Sequence, residues 1–138
     1  MPLSDGSEDI NDDEILFRRI PVSKGWYSES DNYVMSEAFA PIKLDVTGLS
    51  LTRAKYISSE EVGKSGSSKL GYFVVQLRAG DLRRANIRIF PKPEPGNPGH
   101  CELPDLRFDI ADTEAAEVIK EKLSNHCLKV EGPFKKDY

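Results

Sequence analysis

Apolar and polar residues alternate in several short segments of the chain, and a period of two predicts β-strands. The segments ILFRRIP, GLSLTRA, IRIF and LRFDIA alternate as strands with one buried face do. The segment LGYFVVQL is apolar on both faces, which indicates a central position in a sheet. A last short strand is predicted at CLKVEG.

A helical period extends over one long segment, DTEAAEVIKEKLSNH at residues 112–126. Its apolar face contains Ala115, Ile119 and Leu123. Asp112 is expected to cap this helix. Shorter helices are predicted at SEAFA, RAGDLRRAN and SSEEVG, the last with a capping box formed by Ser58 and Glu61.

Strands and short helices are mixed without a regular βαβ rhythm, which is typical of an α+β domain. We expect a mixed or antiparallel sheet, short helices and one longer helix near the C-terminus. A chain of 138 residues suits one domain with one core, and this domain is predicted over residues 15–134. Residues 135–138 are predicted to form a C-terminal tail.

The first fourteen residues are strongly acidic. They carry six acidic side chains and no basic one, while the other 17 acidic residues of the chain face 19 basic residues. Because residues 1–14 contain few large apolar groups, burial cannot offset the entropy of ordering them. The sequence therefore predicts a flexible acidic tail over residues 1–14 and a nearly neutral folded body.

Charge and hydropathy also bear on location and partners. No segment has the roughly 20 apolar residues that span a bilayer, and the N-terminus lacks a signal-peptide pattern. We therefore expect a cytoplasmic protein without a membrane partner. The basic cluster of Arg78, Arg83, Arg84 and Arg88 is small and equally typical of a solvated face, so nucleic-acid binding is not predicted.

The segment PKPEPGNPGHCELPD, residues 91–105, holds the candidate chemistry. Its prolines favour extended backbone, so a stiff loop is predicted that brings His100 and Glu102 to the surface. In extended backbone these two side chains share a face, whereas Cys101 points to the other face. The pair is interpreted either as a hydrogen bond that closes the loop or as a base or metal ligand with its carboxylate partner.

The dipeptide His-Cys occurs twice, at His100–Cys101 and His126–Cys127. These four residues are the candidate metal ligands, but adjacent side chains on extended backbone diverge, so the spacing does not predict a zinc site. Either cysteine is also a candidate nucleophile with a histidine as base, although neither has another neighbour that would lower its pKa. No cofactor is predicted.

Two further groups are candidates for binding. Arg18 and Arg19 point to opposite faces of their strand, and one that enters the body needs a carboxylate or a bound anion. The aromatic side chains of Trp26 and Tyr27 are predicted to anchor a protein partner, because exposed aromatic residues carry much of the energy of interfaces.

The succession LFRRIP, MSEAFAP, GLSLTRA, GYFVVQLRAGDLR and PEPGNPGHCEL resembles a group of small bacterial proteins. Their segments show an Arg-Arg or Arg-Ile opening, a Ser-x-Ala-Phe step, a Ser strand and an Asn-Pro-x-His-x-Glu ending. The resemblance covers about residues 15 to 104. It implies a bacterial protein but supplies no activity.

The chain has a fainter resemblance to toxins of the ADP-ribosyltransferase type, including the RES type, which also open with an Arg strand and place Ser and Glu later. This resemblance implies that Arg19 holds the phosphate of a nicotinamide dinucleotide. Ser36 or Ser50 would lie beside it, and Glu102 would orient the ribose. No Gly-Gly-Arg-Trp-Asn run is present, and no tyrosine is placed for stacking.

Two hypotheses of function follow. The first is a binding module that contacts a protein partner near residues 91–105. The second is an enzyme or nucleotide-binding protein that uses Arg19, His100 and Glu102. A cleft that joins these three residues would favour the second hypothesis, and a surface on which every charge is paired would favour the first.

Overall fold

The computed structural model describes residues 5–136, and a twisted antiparallel sheet of six strands dominates it. The strand order is β6-β7-β4-β1-β5-β8, and β2 and β3 form a separate hairpin. The strands are β1 (Ile15–Pro21), β2 (Tyr27–Ser28), β3 (Tyr33–Val34), β4 (Leu49–Arg53), β5 (Tyr72–Arg78), β6 (Phe90–Pro91), β7 (His100–Leu103) and β8 (Lys129–Phe134). The predicted α+β class and the antiparallel sheet are confirmed.

Three α-helices accompany the sheet: α1 (Ser59–Lys64), α2 (Ala79–Arg84) and α3 (Glu114–Asn125). Short 3-10 helices occupy Val22–Lys24, Ser36–Phe39 and Phe108–Ile110. Within residues 5–136 no helix combines the length and the apolarity that crossing a membrane requires. The Ser58 cap of α1 is confirmed, since its hydroxyl accepts a hydrogen bond from the amide N–H of Glu61 at 3.2 Å.

The predictions of local structure are wrong at LRFDIA and at the N-terminus of α3. The segment LRFDIA is not a strand, because Leu106 is buried while residues 108–110 turn into a 3-10 helix whose Phe108 is exposed. The cap of α3 is Thr113 instead of Asp112: the Thr113 hydroxyl accepts from the amide N–H of Ala116 at 3.2 Å. Alternation alone could not distinguish this turn from a strand.

The core lies on one face of the sheet, beneath α3. Strands β1, β4, β5 and β7 turn apolar side chains to this face at every second residue, among them Leu16, Ile20, Leu49, Leu51, Val75, Leu77, Cys101 and Leu103. Helix α3 adds Ala116 and Leu123. On the other face α1 covers a smaller cluster formed by Phe17, Val62 and Val74.

The predicted flexible tail is wrong for residues 5–14, which are ordered against the body. Ile10 is only 3% exposed in the core. The amide N–H groups of Ala79 and Gly80 donate to the carbonyls of Glu14 and Asp12 at 3.0 and 2.8 Å. Residues 1–4, like residues 137 and 138 of the predicted C-terminal tail, lie outside the described residues, and residues 135–136 are exposed after β8.

Arg53 is the reason that this acidic segment is ordered. Its side chain is completely buried, and its guanidinium donates to both carboxylate oxygens of Glu14 at 2.8 and 2.9 Å. The same guanidinium donates to the carbonyls of Gly6, Glu8 and Asp9 at 3.0 to 3.3 Å. A buried cation needs such partners, so the contacts that Arg53 requires offset the entropy of ordering the segment.

The charge of Glu14 responds to this environment. Burial by itself raises the pKa of the Glu14 carboxyl, but hydrogen bonds from Arg53 and from the Asn11 amide, together with the positive charge of Arg53, outweigh burial. The pKa is therefore held below its ordinary value of 4.5. This pair contributes stability at pH values above that ordinary value, and the contribution is lost as the pH falls through the lower folded-state pKa.

We expect Glu14→Gln to lower the free energy of unfolding by about 3 kcal/mol at pH 7, because it removes the carboxylate that binds the buried guanidinium through both oxygens and leaves only the partly exposed Glu8 carboxylate, 3.2 Å away, as a counter-charge. The loss should shrink at low pH, where the Glu14 carboxyl of the wild type is itself protonated and uncharged. Urea unfolding at several pH values measures both effects. Asp13→Asn, at an exposed neighbouring position, is the control and should stay within about 0.5 kcal/mol of the wild type. Equal stability of the wild type and Glu14→Gln would contradict this account of the segment.

Candidate functional site

His100 and Glu102 lie in strand β7, inside the sheet between β6 and β4. They share a face, as expected, but the predicted surface exposure is wrong: they are 7% and 8% exposed. The reason is that the prolines form the turn before the strand, while the pair itself is covered by side chains and loops from both neighbours.

His100 is held at both ring nitrogens. Nδ1 lies 2.8 Å from the carbonyl oxygen of Lys92 and 3.5 Å from the Glu94 carboxylate, and Nε2 lies 3.0 Å from the Ser50 hydroxyl. The Ser50 oxygen also lies 3.3 Å from the buried carboxylate of Asp45. The histidine therefore joins β4 to the loop that follows β6.

Glu102 is directly opposite Ser50 in the pairing of β7 with β4. Its carboxylate accepts a hydrogen bond from the Thr47 hydroxyl at 2.7 Å and lies 3.5 Å from the Lys92 ammonium. The same ammonium donates to the Thr47 hydroxyl. Glu102 is thus paired with Thr47 and Lys92. Within residues 5–136 no hydrogen bond joins His100 to Glu102, so the predicted bond between these two side chains is not formed, and each of them holds a loop to the sheet through other partners.

Three groups of Lys92 are held in place: its amide N–H, its carbonyl and its ammonium. The Lys92 amide N–H donates to the His100 carbonyl at 2.9 Å, which continues the ladder between β6 and β7. Because Lys92 immediately follows β6, the polar cluster of buried His100 and Glu102 with exposed Thr47 holds the short edge strand of the sheet in place.

Along this edge runs an open cleft of about 870 Å³. Residues 9–12 of the N-terminal segment form one wall, and residues 86–91 with Arg83 form the other. Its floor is apolar, since Ile10, Ile87 and Ile89 are at most 5% exposed. The ring of Phe90 is 51% exposed at the rim, with the Arg88 guanidinium 5.8 Å from its centre.

Residues 87–89 do not belong to a strand, although the alternation of IRIF predicts one. Their burial nevertheless alternates, with Ile87 and Ile89 buried and Arg88 exposed, as it does in extended backbone. In an antiparallel ladder, residues that bond to the neighbouring strand alternate with residues that point away. The backbone of Lys92 bonds to β7, so by this alternation the backbone of Phe90, two residues earlier, does so as well. The N–H and C=O of Ile89, between the bonded positions, therefore point toward the cleft. Within residues 5–136 the Ile89 amide N–H has no hydrogen-bond partner.

The charges at the cleft are balanced within the chain. The Arg83 guanidinium lies 2.7 Å from the Asp12 carboxylate, and Arg88 forms a bidentate pair with Asp105 at 2.6 and 3.0 Å. This pairing holds the pKa of Asp105 below its ordinary value, because hydrogen bonds from Arg88 stabilise the carboxylate. A cleft with paired arginines and acidic residues on its wall does not favour a polyanion.

The two arginines of β1 differ in environment. Arg18 donates to the carbonyls of Ala38 and Ser50 at 3.1 and 3.2 Å, and burial lowers its pKa to about 10, so it stays cationic at neutral pH. Arg19 is exposed, with its guanidinium 2.7 Å from the Ser65 hydroxyl and 4.7 Å from the centre of the Tyr72 ring. It extends toward β5 and α1, whereas His100 and Glu102 lie on β7 beyond β4.

The remaining predicted site residues take structural places. Trp26 and Tyr27 are half-buried against the core, and the Tyr27 ring meets the Phe73 ring edge-on at 4.9 Å. Ser36 begins the 3-10 helix Ser36–Phe39 and donates to the Glu37 carboxylate, far from β7 in the chain. Trp26 and Tyr27 are thus only partly exposed, although full exposure is expected of aromatic anchors for a protein partner.

The two His-Cys pairs are not brought together as a metal site. Among the described residues, 5–136, no group of three or more His, Cys, Asp and Glu side chains is arranged to hold a metal ion. His126 ends α3, and its Nδ1 lies 2.6 Å from the Lys122 carbonyl. Burial raises the pKa of the thiols of Cys101 and Cys127 to about 12, which disfavours either as a nucleophile.

No protein-family model, curated protein or solved structure matches this chain. The site must therefore be interpreted from its own geometry.

Sequence reasoning missed Arg53, Asp45 and the cleft. Arg53 lies on the same face of β4 as the buried Leu49 and Leu51, at a position where the alternation of GLSLTRA predicts an apolar residue. This pattern was the available signal for a buried cation. Asp45 lies in a loop, and no periodic signal marks its burial. The cleft depends on residues 9–12, for which the acidic composition predicts a tail.

We expect both thiols of the folded chain to react with iodoacetamide at pH 8 about a thousandfold more slowly than a free cysteine, because a thiol with a pKa near 12 is almost fully protonated there. Mass spectrometry of the quenched reaction measures the rates. The chain unfolded in urea is the control, in which both thiols should react at the ordinary rate. A fast thiol in the folded chain would restore a cysteine nucleophile.

Proposed function

We propose that this protein is a peptide-binding module that accepts an extended segment of a partner protein as an added strand along residues 87–91. The observation that carries the proposal is the amide N–H of Ile89, which faces the cleft without a partner among residues 5–136. Backbone groups of this kind are the contacts that strand addition uses.

The shape and surface of the cleft support this function. A strand that pairs with an edge places alternate side chains on each face, so half of its side chains lie on the same face as the exposed Phe90 ring. The exposed Phe90 ring offers an aromatic anchor at the rim. The partner is therefore an extended segment with apolar residues at alternate positions.

Rigidity of the edge also supports the proposal. On one side of the cleft, contacts of His100 and Glu102 with Lys92 hold the edge strand. On the other side, Arg53 holds the wall formed by residues 9–12 by donating to the Asp9 carbonyl. A site that is already ordered loses little entropy when a ligand binds.

Nucleotide binding is the second candidate function. The exposed Arg19 guanidinium, whose contacts are a hydroxyl and the Tyr72 ring, is the observation that favours it. Arg19 shares a sheet face with Ser50 and Glu102, because Phe17 pairs with Thr52 and Ser50 pairs with Glu102. The carboxylate of Glu102 is engaged by Thr47 and Lys92, so a phosphate at Arg19 is better supported than a ribose at Glu102.

Selection from a displayed library of random ten-residue peptides should yield extended binders, since the backbone supplies most of the contacts. Titration calorimetry with a selected peptide should show binding that weakens at least about tenfold in Phe90→Ala, as truncating an interface anchor typically does. On binding, the Ile89 amide should become protected from hydrogen exchange.

Leu70→Ala is the control for this experiment, because Leu70 is an apolar residue that is 57% exposed outside the cleft. It should bind the selected peptide as the wild type does. Selected peptides that bind Phe90→Ala and the wild type equally, without protecting Ile89, would refute the proposal.

Thermal unfolding with ADP-ribose, a nicotinamide dinucleotide or ATP tests the second candidate. A ligand at a hundred times its dissociation constant should stabilise the fold by about 2.7 kcal/mol. Arg19→Gln should abolish that gain, whereas Arg84→Gln, another exposed arginine, should retain it. An unchanged unfolding temperature with all three compounds would remove nucleotide binding from consideration.

A further inference from the structure

We propose that Ser50 is an acylatable nucleophile, with His100 as its general base, and that the face of the sheet around it reacts with small esters. This site is separate from the cleft, and the proposal does not depend on peptide binding. It rests on the geometry of Ser50, His100 and the acceptors behind the imidazole.

The hydrogen-bond partners of the His100 imidazole decide which ring nitrogen carries the proton in the neutral form. Nδ1 faces the Lys92 carbonyl at 2.8 Å and the Glu94 carboxylate at 3.5 Å. A carbonyl and a carboxylate only accept hydrogen bonds, so Nδ1 carries the proton. In the neutral imidazole Nε2 is then an acceptor, and it lies 3.0 Å from the Ser50 oxygen.

This order of groups is that of an activated serine: a hydroxyl, an imidazole that accepts its proton, and an acceptor that fixes the tautomer of the imidazole. Asp45, 3.3 Å from the Ser50 oxygen, adds a second acceptor. The single Ser50 hydroxyl proton donates either to Nε2 or to Asp45, and only the rotamer directed at Nε2 can pass its proton to His100. After that transfer Nε2–H donates back to the Ser50 oxygen, which then carries no hydrogen.

The reaction is balanced by these groups and water. The Ser50 oxygen attacks the carbonyl carbon of an ester, and its proton moves to His100 Nε2. The bond to the alcohol then breaks, the alcohol takes that proton, and an acyl-serine remains, which water hydrolyses by the same steps. Ser50 is half-buried, so solvent reaches its face of the sheet.

A fluorophosphonate tests the nucleophile directly, because its phosphorus bonds to an activated serine oxygen and fluoride leaves. Incubation of the full chain with this probe, followed by mass spectrometry of its peptides, should locate one adduct on Ser50. His100→Gln should slow this labelling at least about a hundredfold, which is the ordinary contribution of a general base. Ser59→Ala, a half-buried serine outside the cluster, should label at the wild-type rate.

Thermal unfolding of His100→Gln shows whether that variant is folded, and the adduct on the wild type needs no variant at all. Hydrolysis of p-nitrophenyl acetate by the wild type, and its loss in Ser50→Ala, gives a second readout. The proposal is overturned by the absence of an adduct, by an adduct at another residue, or by an unchanged labelling rate in folded His100→Gln.

Discussion

The buried guanidinium of Arg53 is the constraint on which the rest of the molecule depends. An isolated cation in an apolar interior is strongly unfavourable, so it must collect acceptors. Arg53 obtains them from Glu14 and from the carbonyls of Gly6, Glu8 and Asp9. The acidic segment is thereby ordered, and its residues 9–12 become one wall of the cleft.

A second set of polar contacts holds the opposite wall. Lys92 is tied to His100 by its amide and its carbonyl, and to Thr47 and Glu102 by its ammonium. The cleft therefore lies between two polar clusters that are satisfied within the chain. Gly6 connects the two regions, since its φ is +93° and a side chain there would lie 1.9 Å from the Pro98 carbonyl.

The same arrangement links the cleft to the Ser50 and His100 pair. The Lys92 carbonyl orients the imidazole, and Lys92 follows the edge strand β6 directly. A partner strand along residues 87–91 would therefore stiffen the backbone that fixes the tautomer of His100. Binding at the edge and reactivity on the face of the sheet are separate properties that share one residue as a support.

The sequence by itself determined the α+β class, the strands that alternate, the Ser58 cap and the shared face of His100 and Glu102, because these depend on neighbours in the chain. Only the tertiary structure decided that β7 lies inside the sheet, that LRFDIA turns, and that the acidic segment is ordered. The physical reason is that the burial of Arg53 and His100 depends on hydrogen-bond partners up to fifty residues away in sequence. A local pattern can show that a charged residue occupies a buried position, but the partners that make its burial favourable are found only in the folded chain.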